Sequence, residues 1–484
     1  MDQNAPTIPT DDGRAVGSPR RDLLRASALA AAAVVGTGVA LGAARPAAAE
    51  PPRRPGRIRV VDAPLSPLDR EFGFDYTPGA DNTDALQAVI DKAMSADGGQ
   101  VVLPAGDIWV RGLSVDYRGF PTQNENGLPY GYAGPKITGA GMRQTRINQL
   151  PGSTADIVTV SGHVGDKAGP ANNNKATGVT LADLQLQGTP GGGHGLYLRS
   201  LVNCEFRNLW IQRTGGSGIF RERATFVSGL DDEYSYANSW DRIKIVAPGR
   251  WGVEDSTKAS IGGSMTNVEA ISPTLGGFLL APTNMTLLDC QAIGGTVGLQ
   301  SVRNENRRSV NSGLTLINFR SEGSRGSHEI LIEAGISHLI VNPNFFPTSG
   351  AHCLGVGLRE EGPDFHVRNL TVVGGYFGVV TKYPEQLAVE LGTDARSTRL
   401  IHPTLELNNG RVPTDLVVDR GYRSSIELPG DRTEDHRGFT SHHRAVAQVP
   451  APESGVNEGW EEVAEGRWEK VAVFPGGRRV VIAS

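Results

Sequence analysis

Between residues 135 and 428 the chain keeps returning to one short phrase, a polar residue followed by alternating apolar positions. It reads Asp183-Leu184-Gln185-Leu186, Asn208-Leu209-Trp210-Ile211, Arg242-Ile243-Lys244-Ile245 and Asn267-Val268-Glu269-Ala270. The steps from 184 to 209 and from 243 to 268 are 25 residues, and that from 209 to 243 is 34. Later members are Leu288-Asp289-Cys290, Ile317-Asn318-Phe319 and Asn369-Leu370-Thr371-Val372. A second phrase, glycine followed by alternating residues, is interleaved: Gly195-Leu196-Tyr197-Leu198, Gly218-Ile219-Phe220, Gly252-Val253-Glu254, Gly277-Phe278-Leu279-Leu280 and Gly298-Leu299-Gln300. Short strands that recur at such intervals, with no long helical period, describe a coil that stacks on itself. Every second side chain fills a narrow interior and its neighbours face outward. Asn and Gly at the corners tolerate left-handed backbone geometry. An antiparallel sandwich would need tight hairpin turns such as Asn-Gly between adjacent strands, and these are scarce.

Composition narrows the function. Glycine accounts for 62 of 484 residues, nearly twice the usual share of about 7%. The formal charge is −5, which excludes the strongly basic footprint of a nucleic-acid binder. Pro19-Arg20-Arg21-Asp22-Leu23-Leu24-Arg25 precedes an uncharged Ala/Gly-rich run, and Ala47-Ala48-Ala49 follows it. A twin-arginine pair, a modestly apolar stretch and a small-residue cleavage site read as a Tat-type export signal over residues 1–49. The expected product is secreted and free of the membrane once the signal is removed. Cys204, Cys290 and Cys353 are odd in number and widely spaced, so buried unpaired thiols are expected and no metal site.

Residues 50–70 read as a linker. In Asp81 to Ala93, Leu86, Val89, Ile90 and Ala93 repeat at helical spacing, with Asn82 or Thr83 as cap. Gly98-Gly99 stops this helix before Val101-Val102-Leu103-Pro104-Ala105-Gly106. This opening segment resembles that of the pectate-lyase-like superfamily, and the resemblance extends over residues 71–430. It implies an all-β fold, a single-stranded right-handed parallel β-helix with a short N-terminal capping helix. It also implies a polysaccharide or oligosaccharide lying along the outside of the coil; such coils are compatible with a homotrimer. Residues 431–484 read as a C-terminal extension ending in a β-hairpin built from Trp468–Val473 and Arg478–Ile482.

Stacking turns equivalent outward positions into lanes about 4.8 Å per step. The expected first lane is Tyr197, Phe220, Glu254, Leu279, Gln300; the second is Gln185, Trp210, Lys244, Glu269, Asp289, Asn318. Glu269 and Asp289 would then have the narrow carboxylate spacing of retaining glycosidases. The connections 221–239, 255–265 and 301–313 are expected to wall a groove. The first carries Arg221, Asp231, Asp232 and Tyr234, and the third carries Arg303.

Aromatic faces suit sugar rings, and clustered acids can divide into proton donor and base. The expected catalytic residues are Asp231, Asp232, Glu254 and Glu269. The expected substrate-binding residues are Tyr197, Trp210, Phe220, Arg221, Tyr234, Lys244, Asp289 and Arg303. The leading expectation is a glycosidase that needs no cofactor. A uronate lyase using Lys244 as base and Ca2+ as counter-ion is the first alternative. A resemblance to inulin fructotransferases, on Asp241 and Glu254, makes a glycan transferase the second, and a non-catalytic tail-spike-like binder is the third. Gly193-His194-Gly195 looks like a fragment of the polygalacturonase signature, but the aspartate pair follows it where that family places it ahead, so it reads as coincidence.

Overall fold

The computed structural model describes residues 64–95, 98–117, 134–164, 173–174, 176–222, 235–302, 312–358, 366–379, 383–405, 416–427, 457–464, 467–473 and 479–483. Its two large sheets, of 19 and 14 strands, are parallel throughout. The chain is a right-handed parallel β-helix, and the repeat steps are its register. Leu184 pairs with Leu209, Leu209 with Ile243 and Ile243 with Val268, all buried. The 34-residue step is absorbed in a connection and leaves the ladder in phase.

Corners are single left-handed residues. Strand Thr180–Gln187 bends at Asp183 (φ 59°), pairing with Lys136–Thr138 before the bend and with residues 146–148 after it. Asn208, Arg242, Asn267, Asp289 and Asn318 repeat the same corner. Side chains there bridge successive coils: Asn208 Nδ2 donates to Asp183 (2.6 Å), and Asn318 Nδ2 to Asp289 (2.8 Å). An amide or carboxylate is favoured because it tolerates this backbone and links to its neighbour.

The interior is filled by aliphatic ladders and aromatic pairs, including Phe206 with Trp240 and Phe345 with Phe377, whose centroids are 4.8 Å apart. Each such ring contributes about 1.5–3 kcal/mol by burial. Helix Thr83–Ser95 lays Leu86, Val89 and Ile90 on the first coils. Its first turn is capped by Asp81, which accepts from the Thr83 amide (3.0 Å), while the Asn82 side chain bonds Asp75. All three cysteines are buried and unpaired, and burial pushes the Cys204 thiol up to about 11.

Two expectations need correction. The second lane departs from its expected course after Glu269, which faces Gln291; Gln291 then faces Arg320. Asp289 is the corner residue equivalent to Asn267, two positions earlier, and a slip of two preserves the inward–outward alternation that was used to align it. The connection expected at 255–265 is strand as far as Ile261, with a register shift between Asp255 and Ser260. At the C-terminus, Arg467–Val473 pairs antiparallel with Arg479–Ala483, the expected hairpin strands, and Asn457–Ala464 adds a third strand on its other side.

Candidate functional site

On the 14-stranded sheet, Tyr197, Phe220, Glu254, Leu279 and Gln300 are register neighbours on successive coils. Gly195, Gly218 and Gly252 bring this strip against the opposite wall. A Cβ on Gly218 would lie 2.3 Å from Ile245 Cγ2, and one on Gly195 2.4 Å from Ile211 Cγ2. The residue two places after each glycine therefore faces outward at a fixed height.

Around this lane a compact polar and aromatic patch forms. The His194 ring stacks on Phe220 at 4.2 Å and 10°, and Tyr197 is tilted against Phe220 at 5.7 Å. Ser217, fully buried, fixes two neighbours at once. Its amide donates to His194 Nδ1 (2.8 Å) and its hydroxyl donates to Glu254 Oε2 (2.5 Å). The other Glu254 oxygen accepts from the exposed Arg250 (3.1 Å). Asp156 accepts from the His194 amide (2.7 Å), completing the frame.

The electrostatics assign roles. With Nδ1 accepting, the proton of neutral His194 sits on Nε2 and can be donated outward. Burial holds the imidazole below its ordinary range, so the neutral ring is the working form near pH 7. Burial, and then a hydrogen bond to Glu222, raise the Tyr197 phenol well above the usual tyrosine range. Tyr197 is thus a protonated acid with a carboxylate behind it. Glu222 is also 3.4 Å from Arg199. Together the patch offers two aromatic faces, a proton donor, a hydrogen-bond donor and a guanidinium.

The sequence-predicted residues do not converge. Tyr197, Phe220 and Glu254 share the patch. Trp210, Lys244 and Glu269 lie on the 19-stranded sheet, where Arg143 covers Trp210 at 4.3 Å and Lys244 pairs with Glu269 at 3.1 Å. Asp241 is on that sheet too, hydrogen-bonded to Arg242. Asp289 sits at a corner. Arg221 occupies an inward position, in register with Leu198, where it pairs with buried Asp255 at 2.9 Å beside Trp240; it belongs to the coil interior, away from any substrate. Asp231, Asp232, Tyr234 and Arg303 lie outside the described residues. His194, Ser217, Glu222 and Arg250 were missed. The glycine-flanked His194 did carry a signal, its place just ahead of the Tyr197 strand. Ser217 carried none, because its role depends on a turn between coils.

Among the described residues one group of three potential metal ligands comes together, His328, His352 and Glu390, farther along the same sheet.

No protein-family profile matches the chain. A 119-residue stretch, 25% of the chain, is 34% identical to the mannuronan C5-epimerase AlgE3 of Azotobacter vinelandii, and the match spans 6% of that protein's length. Among solved structures, the A-module of the Azotobacter vinelandii mannuronan C-5 epimerase AlgE4 superposes with a TM-score of 0.53 at 17% identity, covering 77% of this chain and 98% of that one. The tailspike of the E. coli bacteriophage HK620, in complex with a pentasaccharide, gives 0.52 at 13% identity over 78% and 68% of the two chains. These likenesses show the fold, a parallel β-helix.

Proposed function

We propose that the chain is an enzyme acting on an acidic polysaccharide, at the lane through Tyr197, Phe220 and Glu254, by moving the proton on the carbon beside a uronate carboxylate. The observation that carries this reading is the cluster itself. A stacked His194–Phe220 pair and a protonated Tyr197 stand with Arg250, His194 being positioned by buried Ser217 and Arg250 by buried Glu254. His194 Nε2–H and Arg250 would neutralise the carboxylate, which acidifies the neighbouring C–H. Glu222 would take the proton from that carbon, and the protonated Tyr197 phenol would supply its own in return. The phenolic proton delivered to the opposite face gives the epimer, and the same proton delivered to the adjacent glycosidic oxygen as it departs gives an unsaturated end. In either case Glu222 then hands its proton back to the Tyr197 oxygen through their hydrogen bond. We favour epimerisation because of the local likeness to mannuronan C5-epimerases.

Hydrolysis, the leading expectation from sequence, needs a second carboxylate converging with Glu254. Glu269 faces away on the other sheet, so among the described residues the second acid would be Asp156, behind His194, or Glu222, behind Tyr197, and among the expected ones Asp231 or Asp232. Export by the twin-arginine segment and action outside the cell belong to the same proposal, and Ca2+ as a counter-ion belongs to its eliminating variant. Incubation with polymannuronate, polygalacturonate and a neutral glycan tests the reading. Altered uronate stereochemistry, or an ultraviolet-absorbing product, on the acidic polymers alone supports it. Reducing ends released from the neutral glycan would overturn it, and tight binding without product would favour the tail-spike-like binder.

A further inference from the structure

Five register steps beyond Glu254 the outward lane reaches Glu390, by way of Leu279, Gln300, Leu331 and Gly355. Three consecutive coils meet there. His328 and His352 are register partners, and Glu390 reaches toward both across Gly355. Position 355 has to be glycine for this arrangement, since a Cβ would stand 2.6 Å from His328 Cδ2 and 2.7 Å from its Nε2. The His328 ring is 3% exposed, and its Nε2 has no hydrogen-bond partner. That nitrogen lies 3.3 Å from Glu390 Oε2, and His352 Nε2 lies 3.9 Å from the same oxygen.

We propose that His328, His352 and Glu390 bind a divalent transition-metal ion of the zinc or cobalt class. Ligand atoms about 2.0–2.1 Å from a tetrahedral ion stand about 3.3–3.4 Å apart, which is the His328–Glu390 separation. Two imidazoles with one carboxylate suit this class, whereas Ca2+ and Mg2+ prefer an all-oxygen set. Outer partners are in place. His328 Nδ1 is 2.9 Å from Ser327 Oγ, which suits an Nδ1–H tautomer with the Nε2 lone pair aimed at the ion. Arg420 holds the other Glu390 oxygen at 3.4 Å. Three protein ligands leave a fourth position open, and the ion would tie three coils together.

His352 makes the proposal sharp. Its Nδ1 accepts from the Leu387 amide at 3.0 Å, so in the metal-free ring the proton is on Nε2, facing Glu390. Ligation through Nε2 requires that proton to leave, the ring to take the Nδ1–H tautomer and the hydrogen bond donated by the Leu387 amide to break.

The test is titration of the chelator-treated full chain with Co2+, followed by Zn2+, read by visible absorption and by histidine 15N spectra. The expected result is one equivalent bound, displaced by Zn2+, with His352 passing from Nε2–H to Nδ1–H. His328→Gln and Glu390→Gln should each weaken binding by about 100-fold or more, since even outer-partner losses cost about 10–100-fold. His366→Gln, which pairs with Asp394 outside the group, should bind as wild type. Should His328→Gln fail to fold by circular dichroism, Glu390→Gln and the wild-type tautomer spectrum decide. Failure to saturate at one equivalent, unchanged affinity in Glu390→Gln, or a His352 that keeps its Nε2 proton at saturation would each overturn the proposal. None of these readouts depends on the uronate reading.

Discussion

The coils carrying residues 195–255 and those carrying residues 313–391 have the same kind of interior and different exteriors. Both bury a continuous ladder, Leu209–Ile243–Val268 in one and Leu316–Ile340–Val372 in the other. In the first, eight-residue strands such as Glu205–Gln212 and Ser239–Val246 sit beside an outward patch of stacked rings and hydrogen-bonded acids. In the second, three-residue strands such as Thr315–Ile317 and Leu339–Val341 suffice, and the polar groups include nearly buried histidines. The inward pattern makes the coil; the outward residues and the turns that fix them are free to differ, so chemistry is local to a few coils.

That contrast can be broken most forcefully at Tyr197. If the first region holds the chemistry, Tyr197→Phe should cut turnover by about 10²–10⁴-fold, the usual worth of a positioned acid or base, with an unchanged melting temperature. Phe345→Ala, in the second region, should do the reverse. It should cost about 3–5 kcal/mol of stability in denaturant titrations and leave turnover at its original value below the transition.

Acidity separates the regions next. Burial holds His338 down at about 4, and burial, with His352 nearby, holds His328 at about 3. Both are neutral when folded, but the unfolded chain protonates them below about 6.5. Their contribution is complete above that pH and is lost as the pH falls toward the folded values. Hydrogen exchange should therefore show protection of residues 314–356 declining between pH 7 and 5 more than that of residues 181–186. Asp419 runs the other way. Burial raises it to about 6, so its contribution is full below about 3.9 and lost as the pH rises through 6. The smallest effect belongs to Trp210→Ala. With the ring on the other sheet under Arg143, substrate affinity should change by less than about 1 kcal/mol in calorimetry.

The coil was legible in the sequence because its interior is periodic: 184, 209, 243 and 268 announce themselves as one column. The first lane was legible for the same reason, since Gly195, Gly218 and Gly252 mark the phase of Tyr197, Phe220 and Glu254. The second lane failed at Asp289, where a two-residue slip leaves the apolar alternation intact and only the left-handed corner reveals the true phase. Arg221 was misread because polar residues at strand ends are usually exposed, and here an interior Asp255 on the next coil compensates it. The roles of Ser217 and Glu222 come from contacts across turns, which no periodicity encodes.

The most direct measurement is proton NMR of polymannuronate incubated with the protein in D₂O. Wild type should place deuterium at the uronate carbon bearing the carboxylate, with inversion there, and Tyr197→Phe should place none. New reducing ends with that carbon still fully protonated would contradict the account and return the site to the paired acids of a hydrolase.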